Sequence, residues 1–173
     1  MVTALVVIVI IVAALLAYAG TRPGDFRTER STTIKAPPGK IVSFLSDFKT
    51  WASWSPYEKL DPAMKKTLAG APSGKGAVYE WEGNSKAGKG RMEILESTPT
   101  KVAIKLDFEK PFEGHNRADF LLQPRGEATE VTWAMYGPRP FIAKLMGLFF
   151  DMDKMIGKDF EAGLANLKAL AEK

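Results

Sequence analysis

A series of short segments in which apolar and polar residues alternate dominates the middle of this chain. Residues 101–109 show the pattern most clearly, because Val102, Ile104, Leu106 and Phe108 fall on alternate positions. A period of two places these side chains on one face of a strand. Similar segments lie at 64–69, 77–82, 88–96, 115–122 and 127–136. Their spacing of roughly ten residues and their single apolar face predict an antiparallel meander with one covered side.

Two further elements are predicted ahead of this series. Residues 26–36 are rich in Thr and other strand formers and predict a first strand. Pro37 and Pro38 end that strand and are compatible with the first turn of a helix. Residues 40–45 carry apolar side chains at helical spacing, and residues 47–56 predict a short aromatic helical turn that ends at a proline.

The C-terminal segment supplies the element that covers the apolar face of the sheet. Beyond Pro140, apolar residues recur every three to five positions: Phe141, Leu145, Leu148, Met152, Met155, Phe160, Leu164 and Leu167. This spacing predicts an amphipathic helix, or a short helix followed by a long one. The order predicts an α+β fold in which a curved antiparallel sheet of six to seven strands wraps around a long C-terminal helix.

The N-terminus has the character of a membrane segment. Residues 2–19 are apolar, apart from a Thr and a Tyr, and carry no charge. As a helix they would measure roughly 27 Å, close to the ~30 Å hydrocarbon core of a bilayer. Gly and Pro residues end this helix within positions 20–24. We therefore expect residues 1–20 to form one transmembrane anchor, 21–25 a linker and 26–173 a single globular domain.

Two questions about the anchor stay open in the sequence. The tripeptide at 17–19 fits the small-residue pattern of a signal-peptide cleavage site, so a secreted or periplasmic protein is the alternative. The length of the apolar run and the missing basic residues before it favour an uncleaved single-pass anchor. Three arginines within residues 22–30 follow the run, and the positive-inside rule therefore favours a cytoplasmic domain.

Composition removes several classes of function. The absence of Cys excludes disulfides, Cys-based zinc sites and thiol catalysis. The single histidine, His115, leaves no His-rich metal site, and we expect neither a metal nor a cofactor. The net charge of +4 is mild and the basic residues are scattered, so we expect no nucleic-acid partner.

Several stretches of the sequence resemble one superfamily. Residues 30–56 read RSTTIKAPPGKIVSFLSDFKTWASWSP, and VYEWEGN, GKGRMEI and TEVTWAMYG occur further along the chain. Together with the element order, they resemble the START-type helix-grip superfamily (SRPBCC), and in particular bacterial membrane-anchored members of the polyketide cyclase/dehydrase type. The resemblance covers about residues 26–173 and implies a helix-grip fold. It implies no particular activity, because the superfamily includes lipid carriers, metabolite binders, cyclases and chaperone activators.

The inner face of the predicted sheet is rich in aromatic and methionine side chains, which is typical of an apolar pocket for a lipid-like or polycyclic molecule. Each of these residues could equally fill a solid core. The inward-facing amide of Asn116 is a candidate for holding the polar end of a ligand. The candidate ligand-binding residues are Trp51, Trp54, Tyr79, Trp81, Met92, Phe108, Asn116, Phe120, Trp133, Met135, Met152 and Met155.

We expect the protein to bind, and in so doing to carry or sense, a hydrophobic molecule or lipid at a membrane. A cyclase or dehydratase-like enzyme is the second hypothesis, and a membrane-tethered chaperone-partner domain with a filled core is the third. Catalysis needs an inward-facing acid or base, whereas strand alternation places His115 and the acidic candidates on the solvent face. Those acidic residues are Glu80, Glu82, Glu93, Asp107 and Asp119.

Overall fold

The computed structural model describes residues 2–173, which form an apolar N-terminal helix, a curved sheet and a long C-terminal helix. The helices are α1 (Val2–Gly20), α2 (Pro38–Ser46), α3 (Phe141–Met146) and α4 (Met152–Ala171). The strands are β1 (Asp25–Ile34), β2 (Lys65–Gly70), β3 (Ala77–Glu82), β4 (Lys89–Thr98), β5 (Lys101–Lys110), β6 (Gly114–Arg125) and β7 (Ala128–Pro138). Two 3-10 turns, Phe48–Ser53 and Pro56–Lys59, connect α2 with β2.

All seven strands form one antiparallel sheet in the order β1-β7-β6-β5-β4-β3-β2. Strands β2 to β7 make the predicted meander, and β1 adds to the edge of β7. The register places Val102 beside Phe120 and Phe120 beside Trp133, so these core-facing residues lie side by side across three strands. The predicted α+β helix-grip fold is confirmed.

Helix α4 packs against the concave face of the sheet, and two glycines allow it to approach closely. A Cβ atom on Gly163 would lie 2.7 Å from the ring of Trp133. A Cβ atom on Gly157 would lie 2.0 Å from the guanidinium of Arg30, which pairs with Asp153 and Glu161 on α4. The distance at Gly163 is too short for a side chain, and a side chain at Gly157 would displace the guanidinium of Arg30, so both glycines serve close contact between α4 and the strands.

The strand ends differ from the sequence prediction in one informative place. The strand predicted to end at residue 122 is longer, because β6 continues to Arg125 and Pro124 stays in register with Thr129 of β7. Gly126 adopts a positive φ of 65° and carries the chain through the tight turn. A glycine is favoured there because it has no Cβ to clash in the left-handed region.

Helix α1 is long and apolar enough to cross a membrane. Its side chains are exposed along almost the whole length, with the exception of Ala19, which is fully buried. Helix α1 also contacts α3. The backbone N–H of Arg139 also donates to the carbonyl of Gly24 at 2.8 Å, which connects the residues between α1 and β1 to the segment between β7 and α3.

Candidate ligand-binding cavity

A cavity of about 390 Å³ lies between the concave face of the sheet, the Pro56–Lys59 turn and the N-terminal half of α4. Its wall is mostly apolar and includes Leu106 and Phe160, as well as nine of the residues predicted from the sequence. These nine are Trp51, Tyr79, Trp81, Met92, Phe108, Asn116, Trp133, Met135 and Met152. A volume in this range is typical of a site for a small organic ligand.

The aromatic part of the wall is held in place by packing between neighbouring strands. The ring of Trp81 meets Phe108 edge to face at 5.7 Å between centroids, and it lies 6.2 Å from Tyr79. Gly90 of β4 is the residue beside Trp81, and a Cβ atom there would lie 2.5 Å from the indole ring. Trp81 Nε1 donates to the carbonyl of Ala87 at 2.9 Å. The indole is therefore fixed as a rigid, apolar surface.

Trp54 and Phe120 do not line the cavity, contrary to the sequence prediction. They belong to a solid cluster in which Trp133 stacks on Phe160 at 4.1 Å with an interplanar angle of 8°. Phe120 lies 5.0 Å from Trp133, and Trp54 meets both of these rings edge to face. This cluster lies under the middle of α4, where Trp133 and Phe160 close the cavity at one end.

Met155 is also misplaced in the prediction, since its side chain is 56% exposed. Successive helix residues are rotated by about 100°, so a helix face contains residues three or four positions apart. Met152, Ile156, Asp159 and Phe160 line the cavity and fit this spacing. Met155 directly precedes Ile156, so its side chain is rotated by about 100° from the cavity-lining face.

The cavity wall contains a carboxylate that strand alternation could not identify. Glu58 comes from the Pro56–Lys59 turn, and its side chain is only 8% exposed. The hydroxyl of Tyr79 donates to Glu58 Oε1 at 2.7 Å, and Lys66 forms an ion pair with Oε2. Burial, together with the hydrogen bond and the charge of Glu58, raises the pKa of Tyr79. Glu58 is therefore an inward-facing charged acceptor with two fixed partners.

Two further groups of the wall were missed by the sequence reasoning. Tyr57 lies in the same turn as Glu58, and burial raises its pKa, as does the charge of Asp159 to a smaller degree. Asp159 is exposed at the rim on α4, where partial burial raises its own pKa. The helical spacing of Asp159 from Met152 could have identified it, whereas Tyr57 lies in an aperiodic turn.

The predicted solvent-face residues lie on the convex side of the sheet, with one correction. His115 is 65% exposed, and Asp107 at 2.8 Å raises its pKa. Asp119, in contrast, is buried although it was predicted to face solvent, because Tyr136 donates to it at 3.1 Å and Lys101 lies 3.7 Å away.

The domain also matches a known protein family. A family model described as "Polyketide cyclase / dehydrase and lipid transport" matches residues 25–172. The chain belongs to this family. Among curated proteins none matches it. The family resemblance expected from the sequence is therefore confirmed over nearly all of the chain beyond α1.

Solved structures show that this member of the polyketide cyclase/dehydrase and lipid transport family shares its fold with proteins of low identity. A protein from Helicobacter pylori is 12% identical with a TM-score of 0.64, over 84% of this chain and 88% of that one. One from Thermobifida fusca is 22% identical with a TM-score of 0.60, over 82% and 90%. One from Chromobacterium violaceum is 17% identical with a TM-score of 0.58, over 87% and 99%.

Proposed function

We propose that this protein binds a small hydrophobic molecule or lipid in the cavity under α4, and that α1 tethers it to a membrane as a single-pass anchor. The observation that carries the proposal is the cavity of about 390 Å³ with a mostly apolar wall. Burial of apolar surface contributes roughly 25 cal/mol per Å², so an apolar ligand that fills such a wall gains affinity without a large polar network. Membership of a family that includes lipid transport supports the same function.

Native mass spectrometry of the full chain, released from detergent micelles, tests this function. We expect the spectrum to contain a protein species with additional mass from a co-purified hydrophobic molecule. The matched control is the Ile156→Trp variant, which places a larger side chain in the cavity wall. An adduct that persists unchanged in this variant would place the ligand elsewhere, for example on α1.

The domain limits and the orientation in the membrane are part of this proposal. Residues 21–25 form the linker, residues 26–173 form the ligand-binding domain, and the domain lies on the cytoplasmic side. The arginines that follow α1, among them Arg22 and Arg27, support this side through the positive-inside rule. Protease protection in sealed inverted vesicles tests the orientation, and we expect the domain to be digested without detergent.

A cyclase or dehydratase-like activity is the second candidate function, and Glu58 favours it. A buried carboxylate that faces an apolar cavity can act as an acid or base on a bound polyketide-like substrate. Tyr79 and Lys66 already occupy both of its oxygens, which suits a fixed acceptor better than a group that exchanges protons. Turnover of a polyketide thioester that is lost in Glu58→Gln would establish the enzymatic function. For the third hypothesis, a chaperone-partner domain, we expect a filled core, and the cavity supports the binding function instead.

A further inference from the structure

The charged groups of the cavity have one sign. Glu58 and Asp159 are the charged residues that line it within residues 2–173, and Lys, Arg and His are absent from that wall. The cation at this corner, Lys66, is already in an ion pair with Glu58. A bound carboxylate would therefore lie beside like charges without a counter-charge of its own. Burial of an uncompensated ion is costly in an apolar environment.

The hydrogen-bonding groups at the same corner offer lone pairs to a ligand. The single proton of the Tyr79 hydroxyl is donated to Glu58 Oε1, which leaves the tyrosine oxygen as an acceptor. Glu58 is itself an acceptor. Two donors on residues of the wall, Ser55 Oγ and Trp133 Nε1, have no hydrogen-bond partner among residues 2–173, but each exposes less than 1 Å² and so is not accessible from the cavity in this structure. The pair formed by Glu58 and Tyr79 is thus complementary to a group that donates a hydrogen bond.

On the basis of the proposed function, we infer that the cavity selects hydrophobic ligands with a neutral donor such as a hydroxyl group over ligands with a carboxylate. The hydroxyl proton is donated to Glu58, and the apolar part of the ligand lies against Trp81, Phe108 and Met92. Asn116, in the part of the wall on β6, is neutral and offers a second polar contact to a ligand of sufficient length.

Binding of decanol and of decanoate to the full chain in lipid nanodiscs tests this inference. Three of the four tryptophans line the cavity, so intrinsic fluorescence reports on its occupancy. At about pH 8 a carboxyl group with an ordinary pKa is ionised. Each affinity is corrected for the partition of the probe into protein-free nanodiscs. We expect decanol to bind about tenfold more tightly than decanoate, the effect expected when a hydrogen bond to a charged group is lost.

The Glu58→Gln variant removes the negative charge with little change in shape, and we expect it to bring the two affinities within about threefold of each other. Glu80→Gln is the matched control, because Glu80 lies on the exposed face of β3 and should leave the preference unchanged. Equal binding of both probes to the wild-type protein would overturn the inference even if Glu58→Gln does not fold, and so would an unchanged preference in a folded Glu58→Gln protein. Failure of both probes to give a saturable signal would refute the proposed function itself.

A separate surface at one end of the domain is apolar and exposed. The strand register places the start of β1, the turn between β5 and β6 and the end of β7 at the same end of the sheet. Phe112 of that turn is 58% exposed. Phe141 on α3, and Phe149 and Phe150 between α3 and α4, are about half or more exposed. We define these four phenylalanines as the aromatic end of the domain.

The aromatic end is adjacent to the apolar helix α1. Helix α1 contacts α3, Ala19 near the end of α1 is fully buried, and the N–H of Arg139 donates to the carbonyl of Gly24. The cavity reaches the same end, since its wall includes Phe26 at the start of β1 and the partly exposed Met152 at the start of α4. An apolar surface that continues directly from a membrane-spanning helix is in position to meet the same bilayer.

We propose that the aromatic end inserts into the membrane interface, so that the cavity opens toward the lipid and hydrophobic ligands enter without crossing water. The chain has no Cys, which allows a single environment-sensitive nitrobenzoxadiazole (NBD) label at Phe149→Cys. Thr100→Cys is the matched control, because Thr100 lies between β4 and β5 at the opposite end of the sheet. In nanodiscs of phosphatidylcholine and phosphatidylglycerol, we expect the label at residue 149 to be blue-shifted and quenched by doxyl-labelled lipid, and the label at residue 100 to be neither.

Equal emission and quenching at residues 149 and 100 would overturn this proposal. A blue shift at residue 149 without quenching by doxyl-labelled lipid would overturn it as well, because it would indicate that a second protein copy covers the aromatic end. Measurement at Phe112→Cys provides an independent position on the same surface if the label at residue 149 disturbs folding.

Discussion

The two halves of the space under α4 are built from the same sheet and yet differ in packing. From the middle of α4 onward, Trp133 stacks on Phe160 and Gly163 brings the helix within van der Waals distance of the indole. Toward the N-terminal half, Trp81 and Phe108 face an open volume instead of the helix. The difference shows that the close approach of α4 to the sheet at Gly163, and not the apolar character of the strands alone, separates the filled part from the hollow part.

The strongest test of this difference is removal of the stacked ring in the filled half. We expect Phe160→Ala to lower the free energy of unfolding by about 3–5 kcal/mol, because it removes a buried ring and leaves a void beside Trp133. Chemical denaturation monitored by circular dichroism measures the loss. Met155→Ala on the same helix is the control and should cost about 0.5 kcal/mol or less, since Met155 is largely exposed. A similar loss of unfolding free energy in both variants would contradict a larger contribution of the packed Phe160 ring to stability.

The limits of sequence reasoning follow from the same two halves. Period-two alternation identified Trp81, Phe108 and Phe120 as inward-facing, and this is correct for all three. It could not show that Phe120 is covered by other side chains, because alternation assigns a face and carries no information on what lies opposite. Glu58 was missed for a different reason: it lies in a 3-10 turn, where no repeating spacing marks the side chains that point inward.

The close approach of α4 in the filled half is tested by a smaller change. We expect Gly163→Ala to destabilise the protein by about 1–3 kcal/mol, because the new Cβ would lie 2.7 Å from the ring of Trp133 and 3.1 Å from Pro56. The control is Gly39→Ala in α2, where nothing lies within 4 Å and the change should stabilise by about 0.5–1 kcal/mol through helix propensity. Thermal unfolding measures the stability change in both variants, and stabilisation by Gly163→Ala would contradict the tight contact.

The hollow half is tested by filling it. We expect Ile156→Trp to weaken decanol binding at least tenfold, or by about 1.4 kcal/mol, because the indole occupies space that the ligand needs. Met155→Trp adds the same side chain at the neighbouring exposed position and should leave binding unchanged. The fluorescence titration described above measures both affinities. Unchanged binding in Ile156→Trp would mean that the ligand does not use this cavity.

The smallest expected effect concerns the polar corner of the hollow half at alkaline pH. The pKa of Tyr79 is raised from its ordinary value of 10.0, chiefly by burial and then by Glu58. The neutral phenol is therefore favoured in the folded state, so its contribution to stability is complete below about pH 10 and is lost as pH rises above it. Tyr79→Phe removes one hydrogen bond, which costs about 1 kcal/mol at neutral pH.

The wild-type protein and Tyr79→Phe are therefore expected to converge in stability as the pH is raised from 8 to 11. Only the wild-type protein has a tyrosine at this position, and this tyrosine ionises more readily in the unfolded state than in the folded state. Urea denaturation at a series of pH values measures the difference between them and cancels the titration of lysines common to both proteins. A constant difference across this range would mean that Tyr79 ionises as readily when folded as when unfolded. The phenol would then be in contact with water, and the polar corner could not distinguish a hydroxyl from a carboxylate by burial.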